Sequence, residues 1–312
     1  MTLTIRPILP KFGAEVSGVD ISKPLDEATQ KAIKAAQDQW GVTVWRNTGL
    51  DDASHVAFSR IFGHLELAPR PAGRKARFQH PELFDAGNLD AEGNIIRDEM
   101  VKLHKKGDRL WHTDSSFMPV RSAYSLLLCH EAPPEGGPTC FADTRTAYDD
   151  LPQAMKDRIE TLQAVHSIWW SRKVAGYPFT EEEVDEKPSA THPLVHVHAG
   201  SGRKTMFIAA HARDIVGMPR DEGRALLKEL IEFATQPKYT FEVYYQPGDM
   251  VIWDNLCSMH RGGDFDDVNH RRDMRRTTVR EGAAPEQPDD PFGDMFRAAG
   301  TMAFNREAEL AR

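Results

Sequence analysis

The residues best suited to chemistry are concentrated in Trp111-His112-Thr113-Asp114-Ser115-Ser116-Phe117. On a strand, His-x-Asp projects both side chains to one face, so an imidazole and a carboxylate converge there as two ligands for a first-row metal. A further imidazole completes the two-histidine, one-carboxylate set, which holds Fe(II) and leaves adjacent positions open for a bidentate co-substrate and dioxygen. His260 is the candidate, because a turn at Pro247-Gly248 feeds Asp249-Met250-Val251-Ile252-Trp253-Asp254-Asn255, a strand ahead of the ring. Downstream lie Arg271-Arg272 and Arg275-Arg276, and guanidinium groups suit bidentate recognition of carboxylates. Strand alternation puts Met274, Arg276, Thr278 and Arg280 on one face and Arg275, Thr277 and Val279 on the other, so at least one arginine faces inwards if this strand lines a barrel. A surface pair or capped turn also yields a lone His-x-Asp. A solvated strand neutralised by Asp264, Asp266, Asp267 and Asp273 likewise accounts for the arginines.

The elements that must position these groups are legible in outline. Alternation from Thr2 to Leu9 predicts a strand, the amphipathic stretch Glu27 to Trp40 a helix, Val42-Thr43-Val44-Trp45 a buried strand, and Asp52 to Phe62 a second helix. Residues 67–108 are rich in Pro, Gly and charge with little periodicity, which predicts a lid or binding loop. Strand-like runs then follow at Ala123–Cys129, Thr139–Ala142, Leu194–His198, Thr205–Ile208, Thr240–Tyr245, Met250–Trp253 and Arg276–Arg280, the pattern of a sandwich or barrel. Helices are expected at Leu151 to Val165 and Asp221 to Ala234. We expect one domain over residues 1–283, then a linker and short helical tail over 284–312.

Composition narrows the partners. The 312 residues are 40% hydrophobic and 28% charged, as in ordinary globular proteins. Lys plus Arg number 39 against 47 Asp plus Glu, a formal charge of −8, which argues against nucleic acid or an anionic membrane and for a small molecule. No apolar run approaches a membrane span. The odd set Cys129, Cys140 and Cys257 lacks C-x-x-C spacing, which suggests neither disulfides nor a zinc ribbon and fits a reducing cytoplasm.

Five separated motifs, His112-x-Asp114, Gly136-Gly137-Pro138-Thr139, Trp253-Asp254-Asn255, His260 and the paired arginines, resemble the Fe(II)/2-oxoglutarate-dependent dioxygenases of the taurine and 2,4-dichlorophenoxyacetate family over about residues 5 to 282. Trp111 to Phe117, His198-Ala199-Gly200-Ser201-Gly202-Arg203-Lys204 and Arg272 to Arg276 resemble its 2,4-dichlorophenoxyacetate branch most. The resemblance implies a mainly β fold with flanking helices around a double-stranded β-helix, a cupin-like jelly roll. It implies His112, Asp114 and His260 as iron ligands and Thr139 with Arg272 as the clamp on the distal carboxylate of 2-oxoglutarate. Arg276 would face the substrate's acidic group, with His211 and His198 as further substrate contacts. The spacing from His260 to the arginine pair is one residue longer than the pattern, which leaves the roles of Arg271, Arg272, Arg275 and Arg276 open.

The implied reaction consumes 2-oxoglutarate and O2, releases succinate and CO2, and hydroxylates a small carboxylate. With an aryloxyalkanoate, oxidation beside the ether oxygen gives a phenol and glyoxylate. Alternatives are a taurine, alkylsulfonate or alkyl sulfate substrate, a noncatalytic cupin-like acid-binding module, and a hydrolytic zinc site, which has no use for an arginine clamp. Asp114 argues against a halogenase. His192, His196 and His198 also fit a structural strand-end cluster. Lys102, His104 and Lys105 fit a solvated charge run, and Trp169, Trp170, Arg172 and Tyr177 either wall an aromatic substrate or pack in the core. A homodimer or tetramer is expected by resemblance.

Overall fold

The computed structural model describes residues 2–68 and 77–282. Its framework is a seven-stranded sheet in the order Thr4–Pro7, Ala14–Ser17, Val42–Trp45, Met250–Asp254, Ser122–Glu131, Asp273–Arg280 and Phe84–Asp85. All neighbours are antiparallel except Ala14–Ser17 beside Val42–Trp45. A smaller antiparallel sheet, Thr240–Val243, Thr139–Asp143 and Ser258–Gly262, stands opposite.

Period-two alternation decides which layer each side chain joins. From the central strand, Leu127 and Cys129 enter the layer between the sheets with Val251, Trp253, Met274, Phe141 and Val243. Leu126 and Leu128 point the other way, against Ile33 of helix Glu27–Trp40 and Phe58 of helix Asp52–Ser59. Those two helices start on side-chain caps, Asp26 accepting from the Thr29 amide and Asp51 forming a reciprocal box with Ser54. A further three-stranded sheet, Ala212–Ile215, Gln163–His166 and Ala190–Pro193, packs on helix Arg220–Ala234 through Leu226, Leu227 and Leu230. A two-stranded ribbon, Val195–Val197 with Lys204–Met206, completes the fold. Mainly β with flanking helices is therefore the architecture. No helix among the described residues is long and apolar enough to cross a membrane.

The helix expected over Leu151 to Val165 is instead two elements, helix Gln153–Ile159 and strand Gln163–His166, with a separate helix, Thr144–Asp150, just ahead of them. Pro152 separates the helices, and Gln163–His166 is recruited by pairing on both sides, to Ala190–Pro193 and Ala212–Ile215. The segment read as structureless over 67–108 holds strand Phe84–Asp85, helix Glu99–Lys105 capped by Asp98, and a 3-10 turn Lys106–Arg109. Gly87 passes so close to the Arg272 carbonyl that a Cβ would lie 2.2 Å from its oxygen, so this segment is seated directly on the arginine strand. Lys102, His104 and Lys105 are half-buried rather than a solvated run, Lys105 Nζ donating to the Gly87 carbonyl at 2.6 Å. The tail expected over 284–312 lies outside the described residues.

Leu126 is fully buried at the centre of the large sheet. Leu126→Ala should cost about 2–5 kcal/mol of unfolding free energy in a denaturant titration, because a rigid sheet cannot collapse into the cavity left behind.

Candidate active site

His112 does not sit on a strand of its own. It makes a single antiparallel bridge to His260, with backbone bonds of 2.9 and 2.7 Å, extending the small sheet by one residue. The chain turns immediately afterwards, with Ser115 at φ +51°, and Asp114, two residues after His112, faces the same site. The His112 and His260 ring centroids are 4.2 Å apart. Asp114 Oδ1 is 3.9 Å from His112 Nε2, and its Oδ2 is 3.6 Å from His260 Nε2. All three residues are buried, and one ligand atom from each lies within 4.8 Å of the others.

Protonation states follow from the surroundings. His112 Nδ1 donates to the Leu110 carbonyl at 2.8 Å, which leaves Nε2 as the free lone pair on the site side. Burial pushes His260 down to about 3, helped by the neighbouring His112, so its ring is neutral. Burial alone would raise Asp114, yet the Arg276 guanidinium, the two imidazoles and the Ser125 hydroxyl hold it below the ordinary carboxylate range. Two imidazole nitrogens and one carboxylate oxygen form a donor set that fits a divalent first-row ion.

A cleft opens on these residues, walled by Leu67, Phe84, Phe117, Leu127, Ile168 and Trp253. Among the described residues, three arginines line it: Arg172, Arg272 and Arg276. The four downstream arginines divide as alternation and pairing dictate. Arg271 pairs with Glu131 and Arg275 with Asp52 and Asp273, away from the cleft. Arg276 pairs with Asp114 and lies over the Phe84 ring. Arg272 donates to the Ala86 carbonyl at 2.8 Å, and among the described residues no carboxylate lies within ion-pair distance of it. Thr139 reaches this arginine through Tyr245, whose hydroxyl donates to Thr139 Oγ1 at 2.8 Å and whose ring lies 5.9 Å from the guanidinium carbon.

His211 lines the cleft, its ring 5.7 Å from that of His112 and its Nδ1 bonded to Ser171 at 2.8 Å. His198 does not reach the cleft and is corrected here to a structural role. Its Nδ1 is bonded to Ser201 and its Nε2 to Asp254, each at 2.8 Å. Cys257 lies close to that pair, and the buried Arg145 provides the compensating positive charge. Of the alternatives open for the aromatic group, packing against neighbouring side chains is what the structure shows for three of its members. Trp169 packs with Phe179, Trp170 stacks under Arg224 and Tyr177 meets His104, while Arg172, bonded to Asp108 at 2.9 Å, is the member of that group at the cleft.

Sequence reasoning missed Glu66, Ser115 and Ser122, which form a buried set at the cleft: Glu66 accepts from Ser115 at 2.9 Å and Ser122 at 2.6 Å. Burial raises the Glu66 pKa above its ordinary value. Nothing in the local pattern around a single glutamate signals this.

A barrel-like pair of sheets with such a cleft at the end of its inner layer defines a mononuclear, non-haem dioxygenase. Residues 4–278 match the family described as "Taurine catabolism dioxygenase TauD, TfdA family", and the chain belongs to it. It is 39% identical over 282 residues to the alpha-ketoglutarate-dependent 2,4-dichlorophenoxyacetate dioxygenase of Burkholderia sp. (strain RASC), covering 89% of this chain and 95% of that one. It is 34% identical to an (S)-phenoxypropionate/alpha-ketoglutarate-dioxygenase of Sphingobium herbicidovorans, covering 86% and 91%. The crystal structure of AAD-2 in complex with Mn(II) and N-oxalylglycine superposes with a TM-score of 0.81 at 36% identity, covering 92% of this chain and all of that one. The enzyme is a 2-oxoglutarate-dependent oxidoreductase that uses Fe(II), with 2-oxoglutarate and O2 as co-substrates.

Behind His211 the fully buried His166 packs against Phe207, and neither of its ring nitrogens has a hydrogen-bond partner among the described residues. Burial lowers both His166 and the equally buried His55 to about 3, whereas an unfolded histidine titrates near 6.5. Between those values the unfolded chain binds more protons, so stability should be lost as pH falls from about 6.5 towards 3, by roughly 1.4 kcal/mol per pH unit per histidine. Denaturant midpoints measured across that window should show this slope, and His166→Leu should make it shallower.

Proposed function

We propose that the enzyme hydroxylates a small carboxylate of the aryloxyalkanoate type, with His112, Asp114 and His260 holding Fe(II), Thr139 and Arg272 receiving the distal carboxylate of 2-oxoglutarate, and Arg276 and His211 facing the substrate. The observation that carries this reading is the half-buried Arg272, which lines the same cleft as the three ligand residues and, among the described residues, has no carboxylate within ion-pair distance. A buried charge without a counter-ion is costly, so an anionic ligand is the natural partner. The two facing sheets are read as a double-stranded β-helix, a single oxygenase domain over residues 1–283.

When bound, the metal supplies the activation of O2 that drives oxidative decarboxylation of 2-oxoglutarate to succinate and CO2. The chain's own residues bind and orient. His112 and His260 present unprotonated nitrogens, Asp114 stays ionised beside Arg276, and Arg272 with Thr139 sets the co-substrate's far end. Phe84, Phe117 and Ile168 offer an apolar surface for an aryl ring, with Arg276, stacked on the Phe84 ring, for the substrate's carboxylate. Asp108, in the turn after helix Glu99–Lys105, lines the cleft, which supports reading this segment as the lid. Hydroxylation of an aryloxyacetate beside the ether oxygen gives a hemiacetal that collapses to a phenol and glyoxylate. Family resemblance supports a homo-oligomer, and three free, buried cysteines accord with a cytoplasmic location.

The test is succinate and phenol release from 2,4-dichlorophenoxyacetate under Fe(II), 2-oxoglutarate and air, with taurine as the competing substrate. Turnover of taurine alone would overturn the substrate assignment. His112→Ala and Asp114→Ala should abolish turnover with circular dichroism unchanged. Arg272→Ala should raise the KM for 2-oxoglutarate about 10- to 100-fold, as expected for loss of a charged hydrogen bond, while Fe(II) affinity is retained.

A further inference from the structure

Asp114 is held by more than Arg276. Ser125 Oγ donates to Asp114 Oδ2 at 2.7 Å, and Asn255 Nδ2 donates to Ser125 Oγ at 2.9 Å. Asn255 Oδ1 in turn accepts from the Trp253 indole N–H and from the Asp114 backbone N–H, both at 3.1 Å. Thr113 adds a bond to the Asn255 carbonyl at 2.7 Å. Ser125 is fully buried, and Trp253, Asn255 and Thr113 are almost completely so.

The chemistry of these groups allows one direction only. Two N–H donors meet the Asn255 oxygen, so its NH2 must face Ser125. That NH2 occupies a lone pair of the Ser125 oxygen, which leaves the hydroxyl proton for the Asp114 carboxylate. The chain of donors therefore runs Trp253 to Asn255 to Ser125 to Asp114 without a reversible member. A hydroxyl whose proton has nowhere else to go is a fixed dipole aimed at the carboxylate. The same amide grips the Asp114 backbone, so carboxylate and main chain are both anchored to the strand end that leads to His260.

We propose that Ser125 and Asn255 are positioning residues for the metal ligand Asp114. Ser125 occupies a lone pair of one oxygen and Arg276 a lone pair of the other, so the carboxylate cannot rotate freely without giving up a bond. The proposal rests on the assignment of Asp114 as a ligand. Partners of this kind typically govern 10- to 100-fold in metal affinity or activity.

The experiment is an anaerobic titration of the full-length metal-free protein with Fe(II), followed by 2-oxoglutarate, read from metal affinity and from the visible charge-transfer band of the chelated 2-oxo acid. Ser125→Ala, which shortens a buried side chain without adding bulk, should weaken Fe(II) binding about tenfold or more and shift or broaden the band, with the melting temperature close to wild type. Asn255→Asp is the second variant. It keeps the shape but replaces the donor facing Ser125 with an acceptor, turning the hydroxyl away from Asp114, and should weaken binding by a similar factor. Asp114→Ala separates the two layers of the argument. Loss of Fe(II) in Asp114→Ala with wild-type affinity and band in both other variants overturns the positioning role alone, whereas retained Fe(II) in Asp114→Ala overturns the ligand assignment itself.

Discussion

A carboxylate buried as deeply as Asp114 can remain ionised only if its charge is answered nearby, and much of the site is arranged around that requirement. Desolvation disfavours the anion, so the Arg276 guanidinium, reaching across from strand Asp273–Arg280, has to outweigh it. The pairing ties the strand that carries the arginines to the turn that carries the ligand. Those segments are far apart in sequence and are brought together by strand Ser122–Glu131, which pairs with Asp273–Arg280 on one edge and with Met250–Asp254 on the other.

The same strand explains how one short basic stretch serves two purposes. Leu126, Leu128 and Val279 face the helices, and Arg275 on that side meets Asp52 of helix Asp52–Ser59. Leu127 and Met274 enter the layer between the sheets, and Arg276 emerges at the end of that layer, in the cleft. Arg272 precedes the strand and is pinned by the Ala86 carbonyl, while Gly87 keeps the overlying segment within contact distance of its backbone. A one-residue slip of this strand that brought Thr277 to the place of Arg276 would leave Asp114 uncompensated.

Local signals were sufficient where one element satisfied its own requirements. Helix Glu27–Trp40 and strand Val42–Trp45 have the bounds that cap, periodicity and β-branching indicate. The alternation in Asp273–Arg280 separated the two faces correctly before any partner strand was known. Where the stabilising partner was distant, the signal was absent or misleading. Gln163–His166 continues a helical pattern but is held by strands on either side. His198 precedes a Gly-Ser-Gly turn much as a substrate contact would, but Asp254 claims its ring. Ser125 lies in an apolar run, where one serine carries no mark of bonding to a carboxylate.

By itself the sequence determined the inventory: two histidines and an aspartate with the order and chemistry of a metal site, arginines enough for acidic ligands, and alternating strands that had to form a mainly β core. It could do so because side-chain chemistry and two-residue periodicity are properties of the local chain. Tertiary structure decided which arginine serves which partner, that His112 bridges to His260 at the end of the small sheet, that His198 belongs to Asp254, and that Trp253, Asn255 and Ser125 converge on the carboxylate. These depend on sheet register and on the desolvation each group experiences, and both arise only when segments far apart in the chain are packed together.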